Sequence, residues 1–150
     1  MPLKDYLTKR DYHSIKLKKT KTNHFEFKAK INGVKGSFIL DTGASNTCVD
    51  FNLADHFKLA VKDSETKAAG AGATEMLTKQ ALDVKIQIGK WRYHNLHLVL
   101  LDLTHVNTAL VDHNATPIEG IIGADILKHG KAIIDYDKKY LYLKKQIFLF

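Results

Sequence analysis

The sequence predicts a mainly β domain with one or two short helices, and three observations carry that expectation. Apolar and polar residues alternate through residues 24–31 and again through residues 82–89, the period of strands buried on one face. Asn32-Gly33 separates the first of these from a second apolar run, and Asn-Gly supplies the two positive-φ positions of a tight hairpin turn. The chain has 150 residues, only two prolines and no low-complexity tract or internal repeat, which suits one core rather than two ordinary domains. A single domain over residues 1–150 is therefore expected, with a basic N-terminal extension at about residues 1–22.

Taken in order, residues 12–17 alternate weakly, and residues 24–31 and 35–40 form the arms of the Asn-Gly hairpin. The second arm ends in Asp41-Thr42-Gly43-Ala44. Residues 52–59 read as a short helix with Asn52 as N-cap and Leu53, Ala54 and Phe57 on one side. The small, Gly-punctuated stretch at 67–75 reads as a mobile hairpin tip. Strands follow at 82–89 and 94–101, then a helix at 103–111, a buried strand at 118–123 and a short helix at 124–128 closed by Gly130. Residues 131–136 and 140–144 form a last hairpin turned at Asp137-Lys138. The tail Ile147-Phe148-Leu149-Phe150 is apolar to its end, a hazard unless something covers it.

The formal charge of +7 is unevenly distributed. Through Lys35 there are ten Lys and Arg against three acids, while the remainder balances at thirteen of each. Lysines that solubilise the edge of a β-rich domain are the preferred reading; nucleic acid or an anionic membrane surface is the other partner such a segment could take. The one cysteine, Cys48, leaves no internal disulfide and reads as a small buried thiol. The opening residues lack the apolar run of a signal peptide, so a cytoplasmic location is expected. Gly70-Ala71-Gly72-Ala73 lacks the third glycine of a dinucleotide loop. His94 and His97, three apart on a strand, fall on opposite faces, so no metal and no cofactor are expected.

The chemistry centres on Phe38-Ile39-Leu40-Asp41-Thr42-Gly43-Ala44-Ser45. An acid at the end of a buried strand is costly unless it is hydrogen-bonded, paired or used, although a lone strand-end Asp most often caps a turn. Two further motifs follow in order: Gly70 and Gly72 in the small-residue tip, and Ile121-Ile122-Gly123-Ala124-Asp125-Ile126-Leu127. Together with the strand pair Ala132-Ile133-Ile134-Asp135-Tyr136 and Tyr140-Leu141-Tyr142-Leu143, they make the chain resemble the retropepsin-like aspartic proteases, the single-domain, retroviral type of the family. The resemblance covers roughly residues 25–143.

That resemblance implies an acid-protease half-barrel active as a symmetric dimer, in which Asp41 from each of two subunits forms the catalytic dyad. It implies that Thr42 links the two loops, Gly43 presents backbone to the substrate, and Ala44, Asn46, Ala69, Gly70, Ala71 and Gly72 bind it. Residues 69–73 would close as a flap over a peptide or protein substrate. It also implies that Ile122 and Gly123 pack beneath the catalytic loop, and that Asp125 serves the start of a helix rather than acting as a second catalytic acid. Ser45 and Ala124 stand where many retroviral members carry an Asp and an Arg, which brings the pattern closer to cellular and bacterial relatives. Either the N-terminal strand or residues 147–150 would pair the subunits. A catalytically silent dimerisation or peptide-binding module is the alternative.

Overall fold

The computed structural model describes residues 1–68 and 76–146. Eleven strands appear among them: β1 (Tyr12–Lys16), β2 (Lys18–Lys19), β3 (Phe25–Ile31), β4 (Val34–Leu40), β5 (Cys48–Asp50), β6 (Val61–Ala68), β7 (Met76–Ile88), β8 (Trp91–Leu101), β9 (Gly120–Ile122), β10 (Ile133–Asp135) and β11 (Tyr140–Lys144). Three helices accompany them: α1 (Leu3–Thr8), α2 (Thr104–Asp112) and α3 (Ala124–His129). One sheet runs in the order β2-β3-β4-β9-β5-β8-β7-β6, and an additional pairing of β3 with β7 closes its middle strands into a barrel. Closure removes most of the edges an open sheet would expose. A second sheet, β1-β11-β10, contains the N-terminal strand, which pairs Tyr12 with Lys144 and Lys16 with Tyr140.

The Asn-Gly turn forms as the sequence requires: Asn32 and Gly33 have φ of 49° and 82°, and β3 pairs with β4 in unbroken register from Ile31↔Val34 to Phe25↔Leu40. Strand β4 is buried on both faces. Phe38 and Leu40 meet the main core, which also holds Phe27, Trp91, Leu98 and Ile122, whereas Ile39 packs with Leu110, Ile118, Val106 and Ile121 in a second cluster. This accounts for a run of three apolar residues where a half-exposed strand would alternate. Helix α2 supplies Leu110 and Val106 to that second cluster.

Several expectations are corrected. The helix at 52–59 is only a 3-10 turn at Phe51–Leu53 followed by irregular turns, and Asn52 is not its N-cap. Lys58 turns into the left-handed region at φ 55°, while buried Phe57 still donates its amide to Leu53. The strand at 118–123 shrinks to Gly120–Ile122 because the Asn107 side chain takes both backbone groups of Ile118, donating to its oxygen at 3.0 Å and accepting from its nitrogen at 2.8 Å. Helix α1, which sequence periodicity does not announce, follows Pro2 and anchors on Leu7 alone. In β7, Leu82 is exposed although Val84, Ile86 and Ile88 are buried. An irregularity between Ala81 and Val84, with Asp83 at φ 56°, shifts the alternation there.

Gly120 is dictated by packing. A Cβ there would lie 2.3 Å from the Cys48 carbonyl oxygen and 2.6 Å from the Phe38 ring. Cys48 is itself buried, and burial pushes its thiol up to about 12, with the charges of Asp125 and Asp41 adding in the same direction. Gly120→Ala is expected to lower stability by roughly 2–3 kcal/mol, measured by denaturant unfolding. The Cys48 thiol should resist alkylation until the chain unfolds. Because the unfolded thiol ionises near its ordinary value of 9.0 while the folded one keeps its proton, stability should fall as pH rises from about 9 toward 12.

Candidate active site

The loop after β4 is built from both sides by backbone hydrogen bonds. Strands β4 and β9 run parallel, pairing Ile39 with Ile121 and Leu40 with Ile122. The Asp41 amide then donates to the Ile122 carbonyl at 3.0 Å, extending the ladder to the acid itself. Beyond it, the Ala44 amide returns to the Asp41 carbonyl at 3.2 Å and the Ala124 amide donates to the Ala44 carbonyl at 2.7 Å. The Gly43 amide donates to Asp41 Oδ1 at 2.9 Å, which orients the carboxylate.

Gly123 makes this arrangement possible. A Cβ at that position would stand 2.7 Å from the Ala44 carbonyl oxygen and 3.0 Å from the Asn46 backbone. The Gly123 amide donates to Thr47 Oγ1 at 3.0 Å. Thr47 is fully buried and joins the loop to α3. Its hydroxyl donates to Asp125 Oδ1 at 2.7 Å, and its amide sits 3.0 Å from both Asp125 carboxylate oxygens. Asp125 Oδ1 also accepts from the Ile126 amide at 2.8 Å. The Asp125 carboxylate is thus committed to holding the loop, an extension of the helix-start role expected for it.

Asp41, Thr42, Gly43 and Asn46 are exposed, and Ala44 is half-buried. The structure brings these five residues together on one surface loop. Ala69, Gly70, Ala71 and Gly72 lie outside the described residues, between the last flanking pair Ala68↔Met76 of strands β6 and β7. Residues 147–150 also lie outside them. Ile122 and Gly123 lie against the loop as expected. Sequence reasoning missed the Thr47–Asp125 clamp; the available signal was Asp125 itself, an acid in the first turn of α3 whose carboxylate can accept from a distant donor as well as from the helix start. Glu119 is a second omission: its Oε2 accepts from the Ser37 amide at 2.8 Å, steadying β4 below the acid. His97 shares a 2.6 Å hydrogen bond with Gln80, and among the described residues no group of three or more His, Cys, Asp and Glu gathers as metal ligands would.

A family model described as aspartyl protease matches residues 27–126. No curated protein matches the chain in sequence. Among solved structures, a retropepsin-like aspartic protease from Rickettsia conorii is similar with a TM-score of 0.58 and 20% identity, covering 89% of this chain and 92% of that one. The EIAV protease complexed with the inhibitor HBY-793 is similar with a TM-score of 0.52 and 20% identity, over 69% of this chain and 84% of that one. The retroviral protease-like domain of Ddi1 from Leishmania major gives 0.53 and 18% identity over 79% and 86%. At such identities the structural likeness establishes the fold, and the match of the family model to two thirds of the sequence establishes descent. The chain belongs to the aspartyl protease family, and its fold is the retropepsin-like one of these structures.

Proposed function

We propose that the chain is an aspartic endopeptidase acting as a symmetric homodimer, in which Asp41 of each subunit contributes one carboxylate to a shared site. The observation that carries this reading is an acid fixed on a rigid strand end yet exposed on the surface of a single chain. One carboxylate cannot take a proton from water and give one to the scissile carbonyl in the same step, and Asp125, the acid beside the loop, has its oxygens engaged by Thr47 and Ile126. A two-fold axis next to the loop brings the missing carboxylate from an identical subunit.

Two carboxylates about 3 Å apart hold a single proton between them. The ionised partner takes a proton from water as its oxygen attacks the scissile carbonyl carbon, and the protonated partner donates to the carbonyl oxygen. The resulting tetrahedral diol collapses when a proton reaches the amide nitrogen, the C–N bond breaks, and the acid and amine products leave. The hydrogen bond from Gly43 holds Asp41 in position, which limits the reorganisation needed at the reacting centre. In this reading Thr42 links the paired loops, Ala44 and Asn46 border the peptide, and Ala69, Gly70, Ala71 and Gly72 close over it and exclude water.

Asp41→Asn is expected to lower kcat/KM by roughly 10²–10⁴-fold on a diverse peptide library, with the mass in solution unchanged. If wild-type protein cleaves fully while remaining a monomer at every concentration, the shared-site mechanism is overturned. The pH–rate profile should be bell-shaped, since base and acid forms are needed together. Thr47→Val removes a buried hydroxyl that serves both Asp125 and Gly123, so it should cost about 1–3 kcal/mol of stability. It should also reduce kcat more than it raises KM, because the loop loses its tie to α3 while the peptide-binding surface remains.

A further inference from the structure

A second feature lies where the two sheets meet, between β1 and β2 and the turn that joins β10 to β11. Lys16, Leu17, Lys18, Lys19 and Lys139 line a groove of about 520 Å³. Leu17 is buried and its amide donates to the Lys139 carbonyl at 2.9 Å, so strand and turn are locked together beneath the lysines. Alternation around Leu17 then turns Lys16 and Lys18 outward, and all four lysines are exposed. None of the four ammonium groups has an ion-pair partner among the described residues. The nearby pair is Lys138 with Asp137, at 3.8 Å. The carboxylate in register with the groove is Glu26, opposite Lys18, and it is buried.

Strand register fixes where this charge lies relative to the active loop. Lys19 pairs with Phe25, and Phe25 pairs with Leu40, the residue before Asp41. Two strand spacings put Lys19 about 10 Å from Leu40, the reach of about three residues of extended peptide. The Phe25 ring, 5.4 Å from that of Tyr136, fills the interval with apolar surface. We infer that the lysine groove is a specificity element of the proposed peptidase, favouring substrates that carry Asp or Glu about three residues from the scissile bond. The inference rests on the proposed peptidase function. A dimer would place one groove on each side of the bond, so the preference should be two-sided. The groove's place beside the catalytic strand end favours a peptide occupant over nucleic acid, which needs no such proximity.

The test uses peptides with an apolar pair at the centre and either Glu or Gln about three residues to each side. Wild-type protein should cleave the Glu peptide about fivefold faster in kcat/KM, the scale of a few exposed charge pairs, and high salt should erase the difference. The double variant Lys18→Glu and Lys19→Glu should invert the preference toward a Lys-flanked peptide, a gain that misfolding cannot mimic. Fluorescence anisotropy on Asp41→Asn protein should give the same ranking without catalysis. Equal binding of the Glu and Gln peptides, an unchanged preference in the double variant, or tighter binding of a single-stranded oligonucleotide through the same lysines overturns the groove assignment. Complete absence of cleavage alongside an intact binding preference instead overturns the peptidase reading and leaves the acidic-peptide groove standing.

Discussion

The parallel pairing of β4 with β9 is the constraint on which the rest of the molecule depends. It joins segments far apart in sequence, Phe38 with Gly120 and Leu40 with Ile122, and both partners are buried on two faces. Asp41 therefore leaves the ladder with its amide already bonded. Two glycines permit the approach: at Gly120 any side chain would meet the Cys48 backbone, and at Gly123 it would meet the carbonyl of Ala44. The Thr47–Asp125 clamp adds the last restraint. A carboxylate at the surface is ordinarily free to sample rotamers; here the Gly43 amide and a tightly bonded loop narrow its choices.

The two hydrophobic clusters divide the work. The larger fills the barrel and is sealed by the β3–β7 pairing. The smaller lies between α2 and the opposite face of β4 and β9, and it gives Ile39 and Ile121 partners that a lone barrel would not offer. Asn107 binds both backbone groups of Ile118 and so fixes the segment leading into β9 against the same helix. Rigidity at the loop therefore comes from packing on both sides of one strand pair as well as from the bonds within the loop.

Much of this was legible in the sequence wherever a local rule decided the outcome. Asn32-Gly33 announced the β3–β4 hairpin because the turn needs two positive-φ residues, and the apolar run ending at Asp41 announced a buried strand end. The helix expected at 52–59 failed although Leu53, Ala54 and Phe57 all pack against the core: only a 3-10 turn forms at Phe51–Leu53, and Lys58 turns into the left-handed region, which no helix of L residues continues through. Helix α1 escaped notice because a single buried leucine gives no period to detect. The truncation of β9 and the Thr47–Asp125 clamp were not legible because each depends on a contact across a long stretch of chain, 11 residues for Asn107 with Ile118 and 78 for Thr47 with Asp125. Burial, not residue type, decides whether such side chains bond to distant backbone.

The long-range character of the β4–β9 ladder also sets an order of events during synthesis. The Asn-Gly hairpin closes locally and quickly, whereas the ladder must wait for a far more distant segment, with the entropic cost of a large loop. On a ribosome, Asp41 emerges early but stays unsupported until Ile122, Gly123 and Asp125 have also left the exit tunnel. The loop around Asp41 is thus completed only once that distant segment has been made and has folded back onto β4.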